Sequence, residues 1–383
     1  MKKALMYASV VSMIQQFNMN NIKLLQELGY KVEVGCNFEF GSTISDEKIK
    51  EFQETLDGMG IAYYQIPIPR KMHDIKSLFK SYKTTLQLMN REHYDLIHCH
   101  SPIGGIICRF ANRRSNYYNY SKMIYTAHGF HFFKGNQFLK NFLFRNIERC
   151  GALFTDTLIT INCEDYEAAK KFKLKKNGCV KYVPGIGVDV SHIKAMKPKR
   201  KELLEELGLE EDTKLIVSVG ELNSNKNHKV VLEALAKLPQ KFHYIICGQG
   251  EKEKELLKLA GENNCFERFH LLGYRKDVIS IVKSSDFFVF PSKREGLSVA
   301  LMEALASDVI CLASDIRGNR DLICHKKNGF LFKSGEDEAQ SIYSIIQAID
   351  TKGVQVQDLD KQKILQKIDI RSIENDMRNI YSS

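Results

Sequence analysis

Glu295 and Glu303, two acids eight residues apart, form the most specific chemical pattern in this sequence. Their segment, DFFVFPSKREGLSVALMEALA (286–306), runs from an apolar stretch through a polar turn into a helical pattern, which predicts a strand, a loop and a helix. The spacing lets both carboxylates face one cleft. A carboxylate can accept two hydrogen bonds from a diol, so the pair suits the hydroxyls of a ribose or a hexose. Surface acids on an ordinary helix are the alternative interpretation.

The start of this predicted helix suits a phosphate. The free N–H groups there belong to Gly296, Leu297, Ser298 and Val299. Glycine permits a close approach of the backbone, and the helix dipole adds partial positive charge at this end. Phosphate-binding N–H groups beside diol-binding carboxylates together predict a site for a sugar nucleotide.

A lysine and three glycines follow two further predicted strands. Gly220 and Lys226 lie in the loop GELNSNK, after a strand and before a helix, while Gly248 and Gly250 follow the next strand. Lys226 would project from the carboxyl end of its strand, where a cation can neutralise a departing diphosphate. Taken alone, a loop lysine is typical of solvated surface and a glycine after a strand is typical of a turn.

Histidines end two strands of the first half. His128 follows the strand MIYTA, where its imidazole could bind a sugar hydroxyl or a phosphate, although a structural histidine is the alternative. In His98-Cys99-His100, alternate strand residues share a face and invite a metal interpretation. No further ligand stands at a suitable spacing, so no metal site is predicted.

Strands and helices alternate along the whole chain in two series, separated by the basic stretch KAMKPKRK (194–201). Such alternation predicts an α/β protein with two doubly wound, mostly parallel sheets that face each other across a cleft and bind ligands at the carboxyl ends of their strands. The predicted domains are residues 1–195 and 196–371, followed by an amphipathic C-terminal helix, 372–383. Residues 9–16 are expected to form a polar loop.

Composition sets the broad class. The 383 residues are 44% hydrophobic and 27% charged, as in soluble globular proteins, and no apolar run is long enough to span a membrane. The first residues, MKKALMYASVVSMI, imitate a signal peptide but lack a clear cleavage site, and they are interpreted as a strand. Ten scattered cysteines without a C-x-x-C pair favour a reducing cytoplasm.

Positive charge is concentrated in the first half. Residues 1–195 hold 27 Lys and Arg against 17 Asp and Glu, whereas the rest holds 29 of each sign. Two basic stretches, 70–91 and 109–149, include many aromatics, a mixture that suits an anionic membrane surface or single-stranded nucleic acid. An aromatic core under a solvated basic face is the third possibility. The sugar-nucleotide chemistry favours the membrane.

Taken together, these motifs resemble glycosyltransferase family 4, whose GT-B fold has two Rossmann-like domains. Glu295 and Glu303 resemble its E-x7-E signature. Further matches are the donor-loop residues Gly220 and Lys226, the pair Gly248 and Gly250, His128 in TAHGFHF, and YVPGIGVD (182–189). The resemblance is greatest to the bacterial branch that builds capsules and exopolysaccharides on polyprenyl-diphosphate-linked saccharides at the cytoplasmic face of the membrane.

The resemblance also implies roles for individual residues. Glu303 would bind the ribose, Glu295 the hydroxyls of the donor sugar, and the N–H groups of 296–299 the sugar and diphosphate. Lys226 would stabilise the diphosphate as it leaves, and His128 would reach the sugar from the first domain. The resemblance therefore implies that Glu295, Lys226 and His128 are the catalytic residues.

One residue departs from the family pattern. Many relatives have an arginine directly after the first glycine of the donor loop, where this chain has Glu221. Arg294 or Arg275 is the expected replacement for the missing donor-binding cation.

The resulting prediction is a retaining, metal-independent hexosyltransferase without a cofactor. Its expected substrates are a nucleotide-sugar donor, most simply a UDP-sugar, and a lipid-linked saccharide acceptor. The enzyme would bind peripherally to the inner face of the cell membrane through its basic N-terminal half. No nucleic-acid partner is expected. The alternatives are a catalytically silent partner subunit and a nucleic-acid-binding protein. An NAD-dependent dehydrogenase is less favoured because no complete G-x-G-x-x-G follows the first strand.

Overall fold

The chain forms two compact units in a computed structural model, which describes residues 1–40, 44–70, 72, 74–133, 135–335, 337–353 and 360–383. The N-terminal domain comprises Met1–Ile186 together with Ile373–Ser383, and the C-terminal domain comprises Gly187–Ser372. Each has its own parallel sheet, covered by helices on both faces.

The sheet of the N-terminal domain is entirely parallel, in the order β3-β2-β1-β4-β5-β6-β7. Its strands are nearly continuous apolar runs, as expected of a sheet buried on both faces. They span β1 (Lys3–Val10), β2 (Lys31–Asn37), β3 (Ala62–Gln65), β4 (Leu96–His100), β5 (Lys122–Ala127), β6 (Thr157–Thr160) and β7 (Cys179–Tyr182).

Eight helices pack on this sheet within the described residues. They are α1 (Val11–Phe17), α2 (Met19–Glu27), α3 (Asp46–Gly58), α4 (Ile75–Glu92), α5 (Pro102–Arg114), α6 (Phe138–Ala152), α7 (Cys163–Ala169) and the last helix of the chain, Ile370–Ser382. One apolar core joins α1, α2, α3 and the last helix to one face of the sheet, while α4, α5 and α6 contribute to the core on the other face.

The C-terminal domain has a six-stranded parallel sheet in the order β10-β9-β8-β11-β12-β13. The strands are β8 (Lys214–Val219), β9 (Phe242–Cys247), β10 (Phe269–Gly273), β11 (Phe287–Phe290), β12 (Ile310–Ser314) and β13 (Phe330–Phe332). Its helices in the described residues are α8 (Val190–Ala195), α9 (Arg200–Leu207), α10 (Lys229–Leu235), α11 (Glu253–Glu262), α12 (Val278–Lys283), α13 (Val299–Ala306), α14 (Asn319–Leu322), α15 (Glu338–Lys352) and α16 (Lys361–Ile368). The last helix of the chain, which packs on the N-terminal sheet, is α17 (Ile370–Ser382).

Three features differ from the sequence predictions. Residues 9–16 are the end of β1 and most of α1, because Val11 and Ile14 are fully buried and pull this segment into the core. Strand β7 was not predicted. The division between the domains falls after Ile186, earlier than the predicted boundary, since Val190 and Ile193 of α8 pack into the C-terminal core. The basic stretch 194–201 therefore lies inside the C-terminal domain.

The C-terminal tail forms the predicted amphipathic helix. Ile373, Met377 and Ile380 of α17 are buried against the N-terminal core, one turn apart on one face of the helix. Arg378 adds an ion pair with Glu27 at 2.7 Å. The last helix of the chain thus completes the first domain.

Candidate active site

The predicted donor residues of the C-terminal domain follow neighbouring strands of one sheet. Strands β9, β8, β11 and β12 stand side by side and run parallel. The segments 248–250, 220–226, 291–298 and 315–318 follow these strands in that order, so the four loops meet at the carboxyl edge of the sheet.

The helix start predicted to bind an anion forms at α13. The side chain of Ser298 caps this helix by accepting a hydrogen bond from the backbone N–H of Leu301 at 3.4 Å. Among the described residues, none accepts a hydrogen bond from the N–H groups of 296–299. These four donors therefore remain available at the positive end of the helix dipole.

Glu303 lies on α13 and is half-buried. Burial raises the pKa of its carboxyl group. Its side chain makes no hydrogen bond or ion pair within the described part of the chain. A half-buried carboxylate of this kind has both oxygens free to accept hydrogen bonds from a diol.

Lys226 contacts Glu295 directly. Its Nζ lies 2.8 Å from Glu295 Oε1 and 4.6 Å from the centre of the Phe290 ring. The side chain of Asn223 shapes the preceding turn by accepting hydrogen bonds from the N–H groups of Asn225 and Lys226. The structure thus brings together the lysine that was predicted to bind the diphosphate and the glutamate that was predicted to bind the donor sugar.

Two hydrogen bonds hold the loops of Lys226 and Glu295 together. The backbone N–H of Lys293 donates to the carbonyl of Asn225 at 2.8 Å, and the side-chain amide of Asn225 donates to the carbonyl of Arg294 at 3.0 Å. The ion pair is therefore supported from both loops, which limits the freedom of either side chain.

Gly248 and Gly250 let the donor loop pass close to the end of β9. A Cβ atom at Gly248 would lie 1.9 Å from the carbonyl oxygen of Gly220, and one at Gly250 would lie 2.5 Å from that of Leu222. The backbones are joined there by hydrogen bonds from Gly220 to Cys247 and from Leu222 to Gln249. The glycines therefore position the loop that carries Lys226.

Gly248→Ala should displace this loop. The new methyl group meets backbone rather than a flexible side chain, so we expect a loss of about 1–3 kcal/mol in stability and weaker binding of any ligand held by Lys226. Denaturant unfolding and ligand titration would measure the two effects. Gly261→Ala is the matched control, because a Cβ at this helical position meets no atom within 4 Å and the change should be neutral or stabilising. Equal behaviour of the two variants would contradict the close approach.

The predicted replacement cations differ in their surroundings. Arg275 is bound by Glu206 at 2.6 Å and by Asp277 at 2.8 Å, whereas Arg294 is exposed. A third cation, Arg317, was not predicted: it is 8% exposed and its Nε lies 3.4 Å from the carbonyl oxygen of Glu295. The donor-binding roles of Arg275 and Arg294 stay predictions.

Close packing brings the segment of Arg317 against the loop of Glu295. The next residue, Gly318, has a φ of +82°, and a Cβ there would lie 2.4 Å from the carbonyl oxygen of Gly296. Its segment DIRGN follows β12, so the same rule that found the other loops, polar residues and glycine after a core strand, could have identified it.

His128 and His100 are neighbours in the N-terminal domain. They follow and end the adjacent strands β5 and β4, and His128 Nε2 lies 3.0 Å from His100 Nδ1. Both line a small cavity of about 40 Å³, together with Asn18, Thr126 and Glu374. Burial lowers the pKa of His128 to about 4, so its imidazole is uncharged at neutral pH.

Both ring nitrogens of His98 are within hydrogen-bond distance of a hydroxyl group. Its Nδ1 lies 2.8 Å from the hydroxyl of Tyr381 and its Nε2 lies 2.8 Å from that of Thr126. Within the described ranges, no group of three or more His, Cys, Asp or Glu side chains could hold a metal ion.

Both domains match models of known families. Residues 199–362 match the model described as glycosyl transferases group 1, and residues 17–162 match the glycosyl transferase 4-like model. EpsD of Bacillus subtilis (strain 168), named as a glycosyltransferase, is 32% identical over 342 residues, which cover 88% of this chain and 85% of EpsD. The chain belongs to glycosyltransferase family 4. Its resemblance to this family, inferred from the motifs, is confirmed.

A second relative and a solved structure extend the comparison of this family 4 glycosyltransferase. An Escherichia coli protein named UDP-Gal:alpha-D-GlcNAc-diphosphoundecaprenol alpha-1,3-galactosyltransferase is 30% identical over 286 residues, covering 73% of this chain and 71% of that protein. HepE of Anabaena, solved in complex with UDP-glucose, covers 100% of both chains with a TM-score of 0.76 and 18% identity. The predicted GT-B fold class, with two Rossmann-like domains, is confirmed.

Proposed function

We propose that this family 4 glycosyltransferase is a retaining enzyme that transfers a hexose-type sugar from UDP to a polyprenyl-diphosphate-linked saccharide in bacterial surface polysaccharide synthesis. The contact of Lys226 with Glu295, at 2.8 Å, is the observation that carries the proposal. This contact supports the proposal because Lys226 is the cation proposed to bind the diphosphate and Glu295 is the carboxylate proposed to bind sugar hydroxyls. The name of the Escherichia coli relative, which specifies UDP-galactose and a diphosphoundecaprenol-linked acceptor, supports these substrate classes.

Each predicted donor residue has a task in this proposal. Glu303 accepts hydrogen bonds from the ribose hydroxyls, and the N–H groups of 296–299 bind the diphosphate. Glu295 keeps Oε2 free of partners within the described residues, so this oxygen can accept a hydrogen bond from a sugar hydroxyl while Oε1 holds Lys226. His128 binds a hydroxyl of the donor sugar.

The proposed reaction proceeds on one face of the sugar. The bond between the anomeric carbon and the β-phosphate oxygen breaks, the acceptor hydroxyl forms the new bond on the same face, and its proton passes to the departing phosphate. Lys226 and the N–H groups of 296–299 stabilise the negative charge that develops on UDP. Catalysis then consists of positioning and charge stabilisation, and these residues supply both without a metal ion.

A thermal-shift panel of nucleotides and sugar nucleotides, with and without EDTA, tests the donor proposal. A ligand that binds only the folded chain raises its stability by about 2.7 kcal/mol at a concentration of 100 Kd. We expect UDP or one UDP-sugar to stabilise the protein regardless of EDTA, and Glu303→Ala to lose most of this effect. Stabilisation by nucleic acid alone would overturn the proposal, and donor binding without turnover would favour a silent partner subunit.

Membrane association is the second part of the proposal. Four apolar side chains of α6, the exposed apolar face, are 56–81% exposed: Phe138, Leu139, Phe142 and Leu143. Their spacing puts them on one side of the helix. Lys140, Arg145 and Arg149 of the same helix are exposed as well. Exposed aromatic and aliphatic groups among cations suit an anionic lipid surface.

A second apolar surface lies on two other helices of the same domain. A groove of about 850 Å³ between α4 and α5 is lined by apolar side chains including Ile75, Phe79 and Phe110, with Arg113 and Arg114 beside them.

Part of the basic stretch 109–149 points inward instead: Arg109 is fully buried, with Glu148 at 3.0 Å and the Tyr125 ring at 3.8 Å. None of the helices in the described part of the chain is both long and apolar enough to cross a bilayer.

Vesicle sedimentation tests the proposed contact. Phe142→Asp should weaken binding to anionic vesicles by about 10-fold or more, because burying one phenylalanine contributes about 1.5–3 kcal/mol. Phe266→Asp is the matched control and should bind as the wild type does, since it changes a phenylalanine of the C-terminal domain that is 54% exposed, against 64% for Phe142. Loss of binding in both variants, or in neither, would contradict a contact through α6.

A further inference from the structure

We propose that His100 is a positioning residue that holds His128 in the tautomer carrying its proton on Nδ1, so that His128 meets its ligand as a neutral hydrogen-bond donor. This inference rests on the proposed function, in which His128 binds the donor sugar, and adds which atom of His128 does so and what controls it.

The distance between the two rings requires one shared proton. His100 Nδ1 and His128 Nε2 lie 3.0 Å apart, a hydrogen-bond distance. Two protons or two lone pairs between these atoms would repel, so one nitrogen donates and the other accepts. Either His100 is protonated on Nδ1 and His128 on Nδ1, or His128 is protonated on Nε2 and His100 on Nε2.

Burial of His100 decides between these arrangements. The residue is 1% exposed, and its Nε2 has no hydrogen-bond partner among the described residues. A proton on Nε2 would be a buried N–H donor without an acceptor, whereas buried side-chain donors have a hydrogen-bond partner in the large majority of cases. His100 therefore carries its proton on Nδ1 and donates it to His128 Nε2.

His128 is left with its proton on the other nitrogen. Its Nδ1 has no hydrogen-bond partner in the described part of the chain, and the residue is only partly buried beside the small cavity. The Nδ1–H can therefore donate to a hydroxyl or phosphate oxygen. Because Nε2 is already occupied, His128 is not available as a general base through that atom.

The ring of His98 restrains His100. The two ring centres lie 4.1 Å apart, and His98 itself is bound at both nitrogens, to Tyr381 of α17 and to Thr126 of β5. Burial lowers the pKa of His98 to about 3 and the pKa of His100 in the same direction. The cluster stays neutral, so no positive charge competes with the shared proton.

Histidine nitrogen NMR of the full-length protein tests the tautomer directly. His128 is assigned by its missing signals in His128→Asn. We expect an Nδ1–H signal for His128 in the wild type and a change towards the Nε2–H tautomer in His100→Leu. A wild-type His128 protonated on Nε2 would overturn the proposal. This measurement needs no activity, so absence of sugar transfer by the wild type would overturn the proposed function and leave the tautomer result standing.

Turnover by paired variants supplies the second test. When asparagine replaces histidine, its amide N–H lies near the former position of Nδ1. When glutamine replaces histidine, its amide N–H lies near the former position of Nε2. His100→Asn should retain most of kcat, whereas His100→Leu should lose about 10- to 100-fold with little change in the KM for acceptor. Likewise, His128→Asn should retain more activity than His128→Gln. The reverse order in either pair would overturn the assignment.

Discussion

Replacing Glu295 by alanine should lower the rate of sugar transfer by about 100- to 1000-fold, the usual cost of removing one group that positions or stabilises charge in a transition state. The carboxylate holds Lys226 at 2.8 Å, and its second oxygen is the proposed acceptor for a sugar hydroxyl. The variant loses both contributions. Single-turnover rates with a UDP-sugar identified by thermal shift would measure the loss.

The fold should survive this change. Lys226 keeps its contact with the Phe290 ring and is 20% exposed, so water can solvate its ammonium group when the ion pair is lost. Glu202→Ala, at an exposed position of α9, is the matched control and should transfer sugar at the wild-type rate. Normal turnover by Glu295→Ala would remove Glu295 from the active site, and unfolding of the variant would make its inactivity uninformative.

Acidification should destabilise the N-terminal domain strongly. Burial lowers the pKa of His98 to about 3 and the pKa of His128 to about 4, and it lowers the pKa of His100 as well. A histidine in the unfolded chain has a pKa of about 6.5. Between about pH 6.5 and pH 4 the unfolded chain therefore binds protons that the folded domain does not. Stability falls as the pH falls through this window. At about pH 5 the loss is about 2 kcal/mol for each of His98 and His128, about 4 kcal/mol for the two, and His100 adds to it in the same direction.

Hydrogen exchange of β4 and β5 amides at about pH 7 and pH 5, corrected for the intrinsic pH dependence, would measure this effect within one domain. His98→Gln cannot gain charge in this range, so its loss on acidification should be smaller than that of the wild type by about 2 kcal/mol. His192→Gln, at an exposed position, should behave as the wild type. An equal loss in the wild type and His98→Gln would show that His98 is not responsible.

Local sequence patterns predicted the strands and loops that carry the proposed donor residues. Apolar runs such as Phe287–Phe290, which a proline follows, are typical of a buried strand. The parallel arrangement that follows from alternating strands and helices places Lys226 and Glu295 at the same edge of the sheet. Their contact at 2.8 Å agrees with that expectation. The role of Gly248 depends on the carbonyl oxygen of Gly220 beside it. A close approach between two chain segments cannot be predicted from the local sequence of either segment.

Surface and core were harder to separate in the basic stretches. Arg109 and Arg145 lie in the same charged and aromatic segment, yet Arg109 is fully buried against Glu148 while Arg145 is exposed. Sequence spacing places both on helices but does not reveal which face of each helix meets the sheet. The same uncertainty hid Arg317, whose burial depends on the approach of Gly318 to Gly296.

By itself, the sequence determined the two α/β domains, the family, and the residue types of the proposed donor site, because hydrophobic periodicity and turn residues are local properties of the chain. Tertiary structure alone decided which groups meet: Lys226 with Glu295, His100 with His128, and Tyr381 with His98 from 283 positions away. Hydrogen-bond partners, burial and pKa depend on atoms brought together from distant segments. The state of His128 is therefore set by strand pairing and burial rather than by the motif in which it stands.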